Sequence, residues 1–124
     1  AVTDVTGFAL LGHALEMCRG AGLSLRVDFD ALPVFDGARN LAQSGIGTGA
    51  AKRNWASYGH EVTLGERPVW HRDLLCDPQT SGGLLIACAP AAADEVLKLV
   101  RARGFGDACA IGAFADGPAG IVVA

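Results

Sequence analysis

Residues 74–90 read Leu74-Leu-Cys-Asp-Pro-Gln-Thr-Ser-Gly-Gly-Leu-Leu-Ile-Ala-Cys-Ala-Pro90, and this stretch sets the fold class. Its polar half, Asp77 to Gly83, is a turn. Pro78 confines Asp77 to extended backbone, and the glycine pair permits positive φ or close approach of another chain segment. Its apolar half, Leu84 to Ala89, is hydrophobic on both faces, as a central strand would be. Pro90 then opens a helix at the position where its missing N–H costs nothing. That helix runs to Arg103, with Ala93, Val96, Leu97 and Val100 inward and Asp94, Glu95, Lys98 and Arg101 outward.

The same alternation extends both ways. Downstream, two closing strands are expected over Ala108–Phe114 and Gly120–Val123, joined through the turn dipeptide Asp116-Gly117. Upstream, Val69–Leu75 predicts a helical turn and Glu61–Leu64 a short strand. Gly45–Gly59 is rich in Gly and Ala, has no clean period, and reads as a loop with at most a helical turn. Asp36–Ser44 predicts a short helix with Ala38, Leu41 and Ala42 inward. Leu23–Asp28 alternates with period two and predicts a strand. Gly7–Gly20 predicts the first helix, with Phe8, Leu11, Leu15 and Cys18 inward and His13, Glu16 and Arg19 on the polar face. Strands and helices alternate throughout, so the class is α/β (α+β), a sheet with helices packed on it.

The whole 124-residue chain is expected to form one domain. Its 51% apolar and 19% charged content excludes a disordered chain. The net charge of -3, with no basic run, argues against nucleic acid as a partner. The longest apolar stretch, which begins at Leu84, is far short of the roughly 20 residues a membrane helix needs, so no membrane partner is expected. Cys18, Cys76, Cys88 and Cys109 are widely spaced and form no C-x-x-C, which favours reduced thiols in a cytoplasmic protein over a disulfide frame or zinc site. The chain opens Ala-Val-Thr-Asp, without an initiator Met or a leader, and reads as a piece of something longer.

Two segments carry candidate chemistry. In Thr3-Asp4-Val5-Thr6-Gly7 the carboxylate of Asp4 has two readings at a helix start. It caps the helix, or it holds a hard cation such as magnesium beside phosphate oxygens. Asp77–Gly83 is either a structural turn or a polar loop facing a phosphate or a neighbouring domain. It is not a G-x-x-x-x-G-K-[ST] loop, because no Lys follows its glycines. The remaining candidates read more blandly. His71, Cys76 and Asp77 hold the ingredients of a nucleophile and base without forming a triad. His13 reads as solvated, His60 has no partner at ligand spacing, and Lys52, Arg53 and Asn54 read as a solvated loop.

Together these segments resemble the C-terminal domain of the selenophosphate synthetase (selenide, water dikinase) family. The resemblance is carried by Thr3-Asp-Val-Thr-Gly-Phe-Ala-Leu-Leu-Gly-His13, Leu32-Pro33, Gly37-Ala38, Arg53-Asn54, Tyr58-Gly59, Leu74 to Leu85 and Ala110-Ile-Gly112. It covers nearly the whole chain in order, and the run from Leu74 is the specific part.

The resemblance implies a ferredoxin-like mixed sheet, the second half of a two-domain protomer. It implies that ATP, selenide and water give selenophosphate, AMP and phosphate, in a homodimer of the full-length protein. The ATP site and the catalytic Cys or selenocysteine and Lys would lie upstream, so no catalytic residue is assigned here and Cys76 inherits none. Asp4 matches the domain's magnesium aspartate, with Thr3 and Thr6 near the phosphates of the bound nucleotide. Two departures stand out. Ala9 replaces a usual Gly and, inside a helix, is expected to stabilise. Gly47-Thr-Gly-Ala-Ala-Lys52 replaces a Gly-Gly-Thr before Arg53-Asn54. The nearest other readings are an aminoimidazole ribonucleotide synthetase or thiamine-phosphate kinase type of enzyme, or a binding module without catalysis.

Overall fold

The computed structural model describes residues 1–124. Strand β1 (Val2–Asp4) leads into helix α1 (Ala9–Ala21), and strand β2 (Leu23–Val27) returns alongside it. Helices α2 (Ala38–Gln43) and α3 (Gly49–Tyr58) follow, then strand β3 (Val62–Thr63), helix α4 (Val69–Leu75) and strand β4 (Leu84–Ile86). Helix α5 (Ala93–Ala102) and strands β5 (Gly112–Asp116) and β6 (Gly120–Val123) close the chain.

The main sheet has the order β3-β6-β2-β5. Its β3, β6 and β2 strands are parallel, and β5 runs antiparallel to β2. Helices pack on this mixed sheet, as the alternation predicts. Leu11, Leu15 and Cys18 of α1 are fully buried against Leu25, Val27, Ile121 and Val123 of the sheet, with Phe29, Tyr58, Leu75 and Cys76 completing the core. Burying such side chains contributes roughly 1.5–3 kcal/mol each. Arg19 of α1 forms an ion pair with Glu61 ahead of β3, which holds the Glu61 carboxyl below its usual range. No helix is long and apolar enough to cross a membrane.

Several expectations are corrected. Gly45–Gly59 is not mainly loop: all but its ends forms the ten-residue helix α3. Thr48 caps it by accepting from the Ala51 N–H at 3.1 Å. Ala51, Trp55 and Tyr58 recur at i, i+4 and i+7, a helical period masked by the surrounding glycines. Leu84–Ala89 is not a central strand. Only Leu84–Ile86 forms a strand, and it pairs antiparallel with β1 in a separate two-stranded ribbon. Leu84 and Val2 are exposed on its outer face, so the second apolar face is left open in this chain. Strand β5 begins at Gly112 rather than Ala108, and β5 and β6 do not pair with each other because β2 lies between them. Phe8 and Leu41 are exposed rather than inward, and no residue of α5 is fully buried.

Candidate functional site

Val2 pairs with Ile86, Thr3 with Leu85 and Asp4 with Leu84. Side chains alternate along a strand, so Asp4 shares the open outer face of the ribbon with Val2, Leu84 and Ile86. Thr3 lies on the opposite face with Leu85. The carboxylate of Asp4 is exposed and makes no ion pair. The capping alternative is corrected here. Asp4 belongs to a strand that ends four residues before α1 becomes helical past Phe8, and the cap position has no side-chain hydrogen bond.

The turn Asp77–Gly83 lies directly against this segment. The Val5 N–H donates to the Gly83 carbonyl at 2.9 Å, and the Gln79 N–H donates to the Thr6 carbonyl at 3.1 Å. Gly82 permits the approach: a Cβ there would sit 1.8 Å from the Val5 carbonyl oxygen. Asn54 of α3 holds both pieces, its Nδ2 donating to the carbonyls of Gly7 and Cys76 at 3.0 Å each. Thr48 donates to an Asp77 carboxylate oxygen at 2.8 Å, and the Tyr58 hydroxyl donates to the Phe8 carbonyl at 2.7 Å. Segments more than 70 residues apart thus form one polar rim, and α3 is its brace. Asn54, read from sequence as part of a solvated loop, is therefore a structural tie, while Lys52 and Arg53 are exposed.

His13 is also corrected. It is buried rather than solvated, with Nε2 3.1 Å from the Thr6 hydroxyl and Nδ1 3.2 Å from a Glu16 carboxylate oxygen. Its spacing of three from Glu16 on one helix was the signal in the sequence. The link to Thr6 depends on how the chain bends between β1 and α1. That bend places Ala9 at φ +61, where a Cβ is strained. Alanine is therefore unfavourable at this position, contrary to the expectation for a helix interior.

The remaining candidates separate. Cys76 is fully buried, and burial pushes its thiol up to about 11. His71 stacks on Phe29 with ring centroids 3.7 Å apart. Burial, reinforced by the Arg67 charge, lowers its pKa. His60 is exposed, 3.6 Å from Glu61. All four cysteines are free.

A carboxylate oxygen suits magnesium, and Asp4 offers one open to an incoming ligand. No group of three His, Cys, Asp or Glu side chains converges anywhere in the chain. Asp4 can therefore be one ligand of a cation whose other ligands come from elsewhere.

Comparison with known proteins identifies the family. The family described as AIR synthase related protein, C-terminal domain, matches residues 1–124. A protein called selenide, water dikinase from Burkholderia pseudomallei (strain K96243) is 56% identical over 124 residues, covering 99% of this chain and 35% of that protein. Proteins of the same name from Rhizobium meliloti (strain 1021) and Dechloromonas aromatica (strain RCB) are 52% and 50% identical, each over 99% of this chain and 36% of their own length. The chain thus spans about a third of the length of these relatives. A match over every residue, together with the mixed sheet and its packed helices, places this chain in the AIR synthase related protein, C-terminal domain family.

Proposed function

We propose that this chain acts as the C-terminal domain of a selenide, water dikinase, an ATP-using phosphotransferase. The full-length protein would convert ATP, selenide and water into selenophosphate, AMP and phosphate. The observation that carries the reading is the 56% identity, over the whole chain, to a protein of that name. In this role the domain packs against an N-terminal ATP-binding domain, closes the nucleotide site and keeps bulk water from reactive intermediates. The exposed apolar face around Val2 and Leu84 supports such a covering partner. The full-length protein works in the cytoplasm as a homodimer, and the isolated domain is inactive.

Asp4 supplies one magnesium ligand on the outer face of the ribbon and Thr6 lies near the phosphates of bound ATP, with Thr3 behind them on the opposite face. When bound, magnesium at Asp4 would supply positive charge to offset that on the phosphoryl oxygens. The residues of this chain hold the carboxylate in place: the β1–β4 pairing fixes Asp4, and the Gln79 and Asn54 hydrogen bonds fix the chain that follows it.

Phosphorus NMR of ATP turnover by the full-length protein, under anaerobic conditions with and without selenide, tests the reading. Selenide-dependent AMP and selenophosphate are expected, and they should be lost in a folded Asp4→Asn variant. Turnover indifferent to selenide would instead point to an aminoimidazole ribonucleotide synthetase or thiamine-phosphate kinase type of reaction, and no turnover to a binding module.

A further inference from the structure

The chain of contacts from Thr6 through His13 to Glu16 has a direction. A carboxylate only accepts hydrogen bonds, so His13 Nδ1 carries the proton in its 3.2 Å contact with Glu16. In a neutral ring Nε2 is then a lone pair, and the Thr6 hydroxyl donates to it across 3.1 Å. The Thr6 oxygen has only lone pairs left to offer. These suit a donor such as water and repel a phosphate oxygen.

We propose that Thr6, His13 and Glu16 form a hydroxyl–imidazole–carboxylate relay that takes up the proton of the water consumed in phosphoryl transfer. The proposal rests on the reading of the site given above. Making AMP, phosphate and selenophosphate from ATP cleaves two phosphoanhydride bonds, one by selenide and one by water. Hydrogen selenide is acidic enough to be an anion at neutral pH and needs no base. Water is a far weaker acid and does.

As the water oxygen bonds to phosphorus, the bond from phosphorus to the leaving phosphate or nucleotide oxygen breaks. One water proton passes to Thr6 Oγ1, and the proton already on Thr6 moves to His13 Nε2. The imidazolium so formed is held by the Glu16 carboxylate. The ring is buried, and Phe8 lies across it at a tilt, with ring centroids 6.0 Å apart. Glu16 is about half exposed on the rim of an open depression of about 410 Å3, lined also by Thr3, His13, Met17 and Gly20. The relay thus runs from a sheltered hydroxyl to solvent, where the proton leaves.

The test is a double-mutant cycle in the full-length protein, reading AMP formation in the presence of selenide together with thermal stability. Thr6→Val and His13→Phe should each lower kcat about 100-fold. The KM for ATP should stay within about threefold. The double variant should be no slower than the slower single, and Thr6→Ser should restore most of kcat. Should His13→Phe fail to fold, the exposed substitution Glu16→Gln serves instead, with kcat lowered about tenfold. Full activity of a folded Thr6→Val, or two effects that multiply, would overturn the relay. Absence of selenide-dependent AMP from the unsubstituted protein would instead overturn the reading beneath it.

Discussion

The backbone N–H of Gln79 donates a 3.1 Å hydrogen bond to the carbonyl of Thr6. That bond joins the two polar motifs of the chain, which lie at opposite ends of the core helices in sequence. It makes the Asp77–Gly83 turn a support for the Asp4–Thr6 segment, so substitutions in one motif should be felt at the other.

Asn54 is the side chain most exposed to that coupling. Removing its amide leaves the Gly7 and Cys76 carbonyls without their 3.0 Å donor. At roughly 1 kcal/mol per bond, Asn54→Ala should cost about 2 kcal/mol in urea unfolding. Asn54→Asp should cost more, because it turns an acceptor toward two acceptors. A loss no larger than that of an exposed substitution such as Lys52→Ala would show that the brace is dispensable.

Ala9 should respond in the opposite sense. Its φ of +61 is the left-handed region, and its side chain is fully buried. Left-handed backbone costs an L-residue about 1–2 kcal/mol. Ala9→Gly removes that strain and forfeits about 0.8 kcal/mol of methyl burial, leaving a gain of about 0.5 kcal/mol. A clear drop in melting temperature would contradict the strained geometry.

His71 should make stability depend on pH below neutrality. Burial first, then the Arg67 charge, lowers its pKa from 6.5, and its Nδ1 is buried without a partner. Asp30 acts in the other direction and Arg39 adds to the lowering. Between the folded and unfolded pKa values the unfolded chain binds more protons, so stability rises with pH. The contribution is complete above about 6.5. It is lost as pH falls from there through the depressed folded value. His71→Phe, which keeps the stack on Phe29, should flatten that part of the stability curve, and an unchanged slope would assign the dependence elsewhere.

Cys76 should be chemically silent. Its thiol is fully buried and held near 11, leaving almost no thiolate at neutral pH. In a thiol titration of the folded domain Cys88, which is exposed, should react first and Cys76 only on unfolding. Cys76→Ala in the full-length protein should retain turnover if the fold survives. Rapid labelling of Cys76 would reopen it as a nucleophile.

The alternation of strands and helices apart from β1 and α3, the two polar motifs and the family are legible from the sequence, because hydrophobic period, Gly and Pro punctuation and motif runs are local properties. Asp4 was singled out in the same way, as a carboxylate in a Thr-Asp-x-Thr-Gly run. Helix α3 was hidden only because glycines flank its Ala51, Trp55 and Tyr58 pattern.

Other features belong to the tertiary structure alone. Asp4 is a strand residue rather than a cap because its backbone pairs with Leu84, a partner 80 positions away. His13 is buried because the bend after β1 brings Thr6 over it, although its place in the helical period is polar. Ala9 is strained by that same bend. Local pattern specifies which face of an element is apolar. Which faces meet, and what backbone angles the meeting demands, depends on hydrogen bonds and packing between segments far apart in the chain, and those are decided only when the whole domain closes.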